Sequence, residues 1–330
     1  MGISEHEVAT CLSVADETTR TPGGSVVERG DDEFYRIDDY DAMPPFLVSL
    51  TSPSNHWTFL STTGGITAGR RNADHALFPY ATSDRVADSA STTGAITIVL
   101  VEHGGRRLRW EPFSRALDGI YDVRRSVEKN VTGNIITFEE RNLDLGLTFR
   151  QTWTNSPRYG IVRRCSLSSD ASSPARVTLL DGVQNTLPAL TTAAFQGAFS
   201  NLLDAYKRNE LLPESGLGVF GLSAVPTDTA EPSEALAATT WWQSGLDAAA
   251  TLLSSQQLDR FRRSGEVAGE TDVKGKRGAY IVVSELTLAP DTDTCWLFCG
   301  EVDQAHAHVV ALDHELRSSR ARVAERVIDG

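Results

Sequence analysis

Residues 61–80, STTGGITAGRRNADHALFPY, concentrate groups that could hold an oxygen-rich ligand. Gly64, Gly65 and Gly69 permit positive φ and close backbone approach. Arg70 and Arg71 carry forked donors suited to sugar hydroxyls, carboxylates or phosphate. Asn72, Asp74 and His75 add donors and acceptors, and Phe78-Pro79-Tyr80 closes the run with a rigid aromatic step. A structural loop whose arginines tie neighbouring strands through carboxylates would use the same residues.

Other motifs are weaker. GLGVFG (216–221) has the spacing of a dinucleotide-binding turn, but that turn needs a strand before it and a helix after it. Here it follows a helical pattern and Pro213, with Pro226 close behind, and reads as a turn into a strand. His306, His308 and His314 do not share one helical face and have no HExxH context, so they read as solvated surface, and no metal site is expected. No cofactor is called for. Glu139 and Glu140 are neighbours on a strand and point to opposite faces, so they make no acid/base pair. There is no GxSxG elbow. Trp241-Trp242 is more informative: on a strand one indole can be core while the other is an exposed platform for a sugar ring, unless both are packed.

The elements that must position these residues are mostly strands. AITIVLVEH (95–103) and RRLRWEPF (106–113) read as a hairpin, as do NIITFEER (134–141) and LTFRQTWTN (147–155). YGIVRRCSLSS (159–169) with RVTLLDGVQN (176–185) reads as a third. GAYIVVSELTLAP (278–290) and TCWLFCGEV (294–302) are joined by Asp-Thr-Asp. Alternation of apolar and polar residues predicts a multistranded antiparallel sandwich. Two helices interrupt it. Residues 191–212 carry an apolar stripe of Phe195, Phe199, Leu202, Leu203 and Tyr206. Residues 303–327 form a long polar helix, with Asp303 as its cap and Val309, Leu312 and Leu316 on a thin inner face. Residues 1–32 read as a loosely held lead-in.

A formal charge of −13 over 330 residues argues against nucleic-acid or anionic-membrane partners, which need clustered positive charge. The four cysteines are scattered, without CxxC; Cys295 and Cys299 share a strand face but sit too far apart to pair. Such usage suggests a reducing compartment. The N-terminus has no secretory pattern and no stretch approaches a membrane helix, so a cytoplasmic location is expected.

TTGGITAGRRNADHALFPYATSDRV (62–86) resembles the glycine-rich early segment of the N-terminal domain of glycoside hydrolase family 94, the cellobiose phosphorylase-like proteins and their uncharacterised relatives. The strand order through RRLRWEPF, FRQTWTN, LLDGVQN and ELTLAPDTDTCWLFCGEV is similar over roughly residues 33–320. The resemblance implies a mainly β fold: a large antiparallel β-supersandwich, galactose mutarotase-like, with a few helices and a final linker helix. It divides the chain into the lead-in 1–32, a sandwich 33–302 and, from 303 to 330, the start of a linker to an (α/α)6 barrel outside this sequence. The family's catalytic acid lies in that barrel, so no catalytic residue is expected here.

The implied role is to pack on the barrel and lend loops to a sugar site, often across a dimer, which makes a homodimer and a disaccharide or oligosaccharide ligand the expected partners. Arg70, Arg71, Asn72 and His75 are the candidate rim residues, with Trp242 behind them. The rival readings are a stand-alone sugar-binding or scaffolding module and a mutarotase-like epimerase. The latter requires a His and a carboxylate together in one sandwich cleft.

Overall fold

The computed structural model describes residues 20–103, 105–172, 174–224, 237–290 and 292–329. The chain opens with the hairpin β1 (Gly23–Arg29) and β2 (Asp32–Asp38). The expected lead-in thus gives way to a paired strand at Gly23; residues 1–19 lie outside the described residues. A meander follows: β3 (Leu47–Leu50), β4 (His56–Ser61), β5 (Ile66–Arg70) and β6 (Ala76–Phe78). After helix α1 (Ser83–Asp88) come β7 (Gly94–His103) and β8 (Arg106–Trp110), paired as expected. Next are β9 (Val123–Asn130), β10 (Ile136–Asn142), β11 (Leu147–Ser156), β12 (Gly160–Ser169) and β13 (Ala175–Thr186).

Helix α2 (Ala193–Phe199) and a 3-10 segment (Ser200–Tyr206) lead into β14 (Lys207–Leu212) and β15 (Leu217–Leu222). The C-terminal part holds β16 (Ala237–Ser244), β17 (Ala250–Leu252), helix α3 (Leu258–Ser264), β18 (Asp272–Lys274), β19 (Gly278–Leu288), β20 (Asp293–Ala305) and helix α4 (His306–Asp329).

These strands build a mainly β, antiparallel supersandwich. One sheet has eleven strands in the order β1-β2-β9-β10-β11-β12-β20-β16-β15-β14-β18. Facing it are a five-stranded sheet, β17-β19-β13-β7-β8, and the four-stranded meander β3–β6. The main core lies between them, with Phe149, Trp153, Trp241, Trp296 and Phe298 from the large sheet against Val99, Leu179, Tyr280, Leu60 and Phe78. The outer face of the five-stranded sheet is covered by α3 through Leu258 and Phe261. The outer face of the large sheet is covered in part by α4, where Leu316, Val323, Ala324 and Val327 pack on Val162, Trp242, Leu297 and Cys299. Two apolar faces per sheet therefore give four layers, as burial of each face requires.

Four expectations are corrected. β12 and β13 do not pair: β12 lies between β11 and β20, while β13 lies between β7 and β19. β19 and β20 are likewise split between sheets. In both cases the connection crosses the core, because two strands that each present an apolar face can bury them by packing face to face instead of side by side. The helix expected over 191–212 is cut short at Tyr206, since Lys207–Leu212 gain strand partners in β15 and β18. Asp303 does not cap α4; it stays in β20 with φ 54°, and the helix starts at His306. Among the described residues no helix is long and apolar enough to cross a membrane.

Candidate functional site

The glycine run does two separate jobs. Gly64 turns the chain between β4 and β5 with φ 98°. Gly69 lets β5 pass close to β6: a Cβ there would sit 2.4 Å from the His75 carbonyl and 2.6 Å from the Trp57 ring. With that approach secured, β4 and β5 pair so that His56 lies directly opposite Arg70. Cross-strand partners sit close enough to serve one group, and here both reach Glu301.

Glu301 lies on β20, next to an irregularity in its pairing with β16. Its Oε2 accepts from His56 Nε2 (3.1 Å) and Arg70 Nη1 (2.9 Å), and its Oε1 accepts from the Val302 N–H (3.0 Å). With Nε2–H directed at the carboxylate, His56 Nδ1 is left to accept from the Ser54 hydroxyl at 2.9 Å, a tautomer assigned from the bonding pattern. His56 and Glu301 are buried, whereas the Arg70 side chain keeps 29% of its surface exposed. Two residues along β20, the Asp303 carboxylate pairs with His75 Nδ1. Two histidine–carboxylate pairs therefore pin the β4–β6 meander to the end of β20.

Arg70 and Glu301 form one end of a cavity of about 270 Å³ under the N-terminal half of α4. Thr240, Trp242, Tyr159 and Gln304 line its sheet side, and His308, Leu312 and Glu315 its helix side. Trp242 and Tyr159 meet edge to face, with ring centroids 6.0 Å apart. Burial pushes the Tyr159 phenol up. The Tyr159 hydroxyl and Glu315 Oε2 are buried and have no hydrogen-bond partner among the described residues. Unpaired buried polar atoms are costly; here the Tyr159 hydroxyl has no partner, while the Glu315 carboxylate is held by ion pairs, Oε1 with Arg158 and Oε2 with Arg326 at 3.7 Å.

The five candidate residues separate. Arg70 and Trp242 line the cavity, and His75 supports its β20 wall through Asp303. Arg71 and Asn72 do not line it. Arg71 sits in the left-handed region (φ 64°) with its side chain exposed, and its N–H donates to the Asn55 carbonyl. Asn72 Oδ1 caps the following turn by accepting from the Asp74 N–H. Neither tryptophan is an exposed platform: Trp241 is core, with Nε1 donating to Thr186 Oγ1, and Trp242 is 1% exposed under α4. A sheet outer face that carries a helix buries what alternation alone would leave in water.

Sequence reasoning missed His56, Tyr159, Glu301 and Glu315. Only the Glu301-x-Asp303 spacing on a strand hinted that two carboxylates end β20 together. As expected, Glu139 and Glu140 face apart: Glu140 is buried on Arg125 and Trp110, and Glu139 meets Arg150 on the outer face. His306, His308 and His314 are exposed, and no metal-binding cluster occurs among the described residues. Cys165 and Cys299 are buried and Cys295 is exposed, all free.

No protein-family model matches the sequence, and no curated protein is significantly similar to it. Solved structures are similar in fold at low identity. A polysaccharide lyase is 8% identical over 83% of this chain and 34% of its own, with a TM-score of 0.46. A GalM/aldose epimerase homologue from C. elegans is 11% identical over 80% of this chain and 100% of its own, with a TM-score of 0.41. A protein described as a kojibiose phosphorylase, from the human microbiome, is 8% identical over 86% of this chain and 29% of its own, with a TM-score of 0.35. The chain thus spans about a third of the lyase and less of the phosphorylase. None of the three is described as a family 94 protein. At these identities and TM-scores the likeness is coarse, and the chemistry rests on the residues themselves.

Proposed function

We propose that this chain is a sugar-binding β-sandwich of a carbohydrate-active enzyme, holding a neutral saccharide in the cavity between β16, β20 and α4. The observation that carries this reading is the buried Tyr159 Oη, without a hydrogen-bond partner among the described residues, beside Glu315 Oε2, which has an ion pair at 3.7 Å to Arg326 and no hydrogen bond, in a space closed by Arg70–Glu301. Vicinal sugar hydroxyls donate and accept at once and so match such a mixed lining, while the edge-paired Tyr159 and Trp242 offer an apolar wall. The chain supplies binding and not turnover, because Glu301 has both oxygens engaged by internal donors and the other carboxylate of the cavity, Glu315, is ion-paired with Arg158 and Arg326. In a phosphorylase-like parent, a helical barrel would bring the acid.

Titration calorimetry with cellobiose and with glucose tests this. Wild type should bind and Arg70→Ala should weaken binding about tenfold or more, the value of a lost charge-assisted hydrogen bond of about 1.5–3 kcal/mol. Absence of binding to a panel of neutral saccharides refutes the proposal, as does phosphorolysis or hydrolysis by the chain alone.

One observation favours a second reading. The His and carboxylate required of a mutarotase-like epimerase are both present, as His56 and Glu301. It ranks below the first because His56 is enclosed and shares one Glu301 oxygen with Arg70, so acid and base are not placed on two sides of a ring. Accelerated mutarotation of fresh α-D-glucose, lost in Glu301→Gln, would reverse that order.

A further inference from the structure

A second cavity, of about 370 Å³, lies on the same outer sheet face under the C-terminal half of α4, roughly six strand residues away along β20 from the Arg70 site (about 20 Å). Two cross-strand rows make its floor. One runs Thr152–Arg164–Leu297–Ser244 across β11, β12, β20 and β16. The other runs Arg150–Ser166–Cys295 across β11, β12 and β20. Because residues two apart on a strand share a face, Arg150 and Arg164 are diagonal neighbours about 7 Å apart at the backbone.

Their environments differ. Arg150 Nε donates to Glu139 Oε2, which neutralises its charge but leaves its two terminal nitrogens for other acceptors. Arg164 is exposed and makes no ion pair or hydrogen bond among the described residues. The hydroxyls of Ser166 and Ser244 are likewise without partners among them. Arg164 therefore brings an uncompensated guanidinium to the cavity, while Arg150 beside it is paired with Glu139. Two negative groups lie nearby: the final turn of α4 contributes about half a charge at its carbonyl end, and Asp293 lies two residues from Cys295 along β20. Partial burial pushes the Cys295 thiol up, Asp293 raises it further, and Arg164 lowers it. Leu297, Ala324 and Ile328 supply an apolar wall large enough for a sugar ring.

We infer that this cavity is a second binding site, for a sugar-sized organic anion whose carboxylate or phosphate ester is gripped by Arg164 with Arg150, its ring resting against α4. Forked guanidinium donors fit both anions, so the two sources are separated by experiment. The site does not depend on sugar binding at Arg70.

The test uses the whole chain with D-glucuronate, D-glucose 6-phosphate, inorganic phosphate and D-glucose, read by calorimetry and by the rate of Cys295 alkylation. Cys295 sits on the floor beside Ser166, so an occupant should shield it. Binding of glucuronate, of glucose 6-phosphate or of both, with slower Cys295 alkylation and about tenfold weakening in Arg164→Gln, is the expected result, and the preferred anion identifies the source. Arg164→Gln should leave the cellobiose response of the Arg70 cavity intact, which separates the two sites. The proposal is overturned if no anion binds up to about 10 mM, if glucose or inorganic phosphate binds as well as the sugar acids, or if Arg164→Gln binds like wild type while its melting temperature is unchanged.

Discussion

Asp204 shows how a single residue sets a pH dependence here. Burial pushes its carboxyl up, but hydrogen bonds and charge from Lys207 and Arg277 outweigh burial, and it titrates below the usual carboxylate range. A folded-state value below the unfolded one stabilises the fold above the unfolded value and loses that stabilisation as pH falls through the folded value. Wild type should therefore lose melting temperature more steeply than Asp204→Asn between about pH 5 and pH 2, the range around and below an ordinary Asp. Parallel curves in differential scanning calorimetry would refute the assignment. At the binding site the same scale divides what sequence could and could not show. Arg70 was legible as a forked donor in a glycine-rich run, whereas its partner Glu301 lies 231 positions away and only strand pairing brings them to 2.9 Å. Arg71, identical in type and adjacent, is turned aside by one positive φ.

Among the elements, α4 is the one whose role changed most on folding. Its sequence carries only a thin inner face of Val309, Leu312 and Leu316. In the structure Leu316, Val323 and Val327 pack on the chain's own large sheet, while its large exposed apolar side chains among the described residues are Val310 and Ile328. Leu316→Ala should cost about 2–5 kcal/mol, the range for a buried leucine, and Val310→Ala less than about 0.5 kcal/mol. Chemical denaturation of the two variants checks this, and equal effects would mean that α4 is not held by its inner face. The hairpins β7–β8 and β10–β11 were readable because short turns force neighbours to pair. The β12–β13 and β19–β20 connections were misread because a strand's alternation tells which side is apolar, not which strand will lie beside it.

At the scale of the whole molecule, the two sheets are registered by a polar group in an otherwise apolar core. Arg163, fully buried on β12, donates to Asp181 on β13 at 2.9 Å, and Asp181 also accepts from Thr97 Oγ1 (2.7 Å) and Trp296 Nε1 (2.6 Å). Removing one partner strands the other charge, so Asp181→Ala should destabilise the fold by about 3–5 kcal/mol, while the double replacement Arg163→Met with Asp181→Leu should cost far less. A double-mutant cycle measures the difference, and additive losses would mean the pair is not coupled. By itself the sequence determined that the protein is an acidic, mainly β antiparallel sandwich, because alternation, turn residues and charge balance are local properties written in consecutive residues. Only the tertiary structure decided which strands share a sheet, that α4 roofs the outer face, and that Arg70 meets Glu301 while Arg164 has no ion pair among the described residues. Those are contacts between distant positions, and they exist only once both faces of every sheet have found something to cover them.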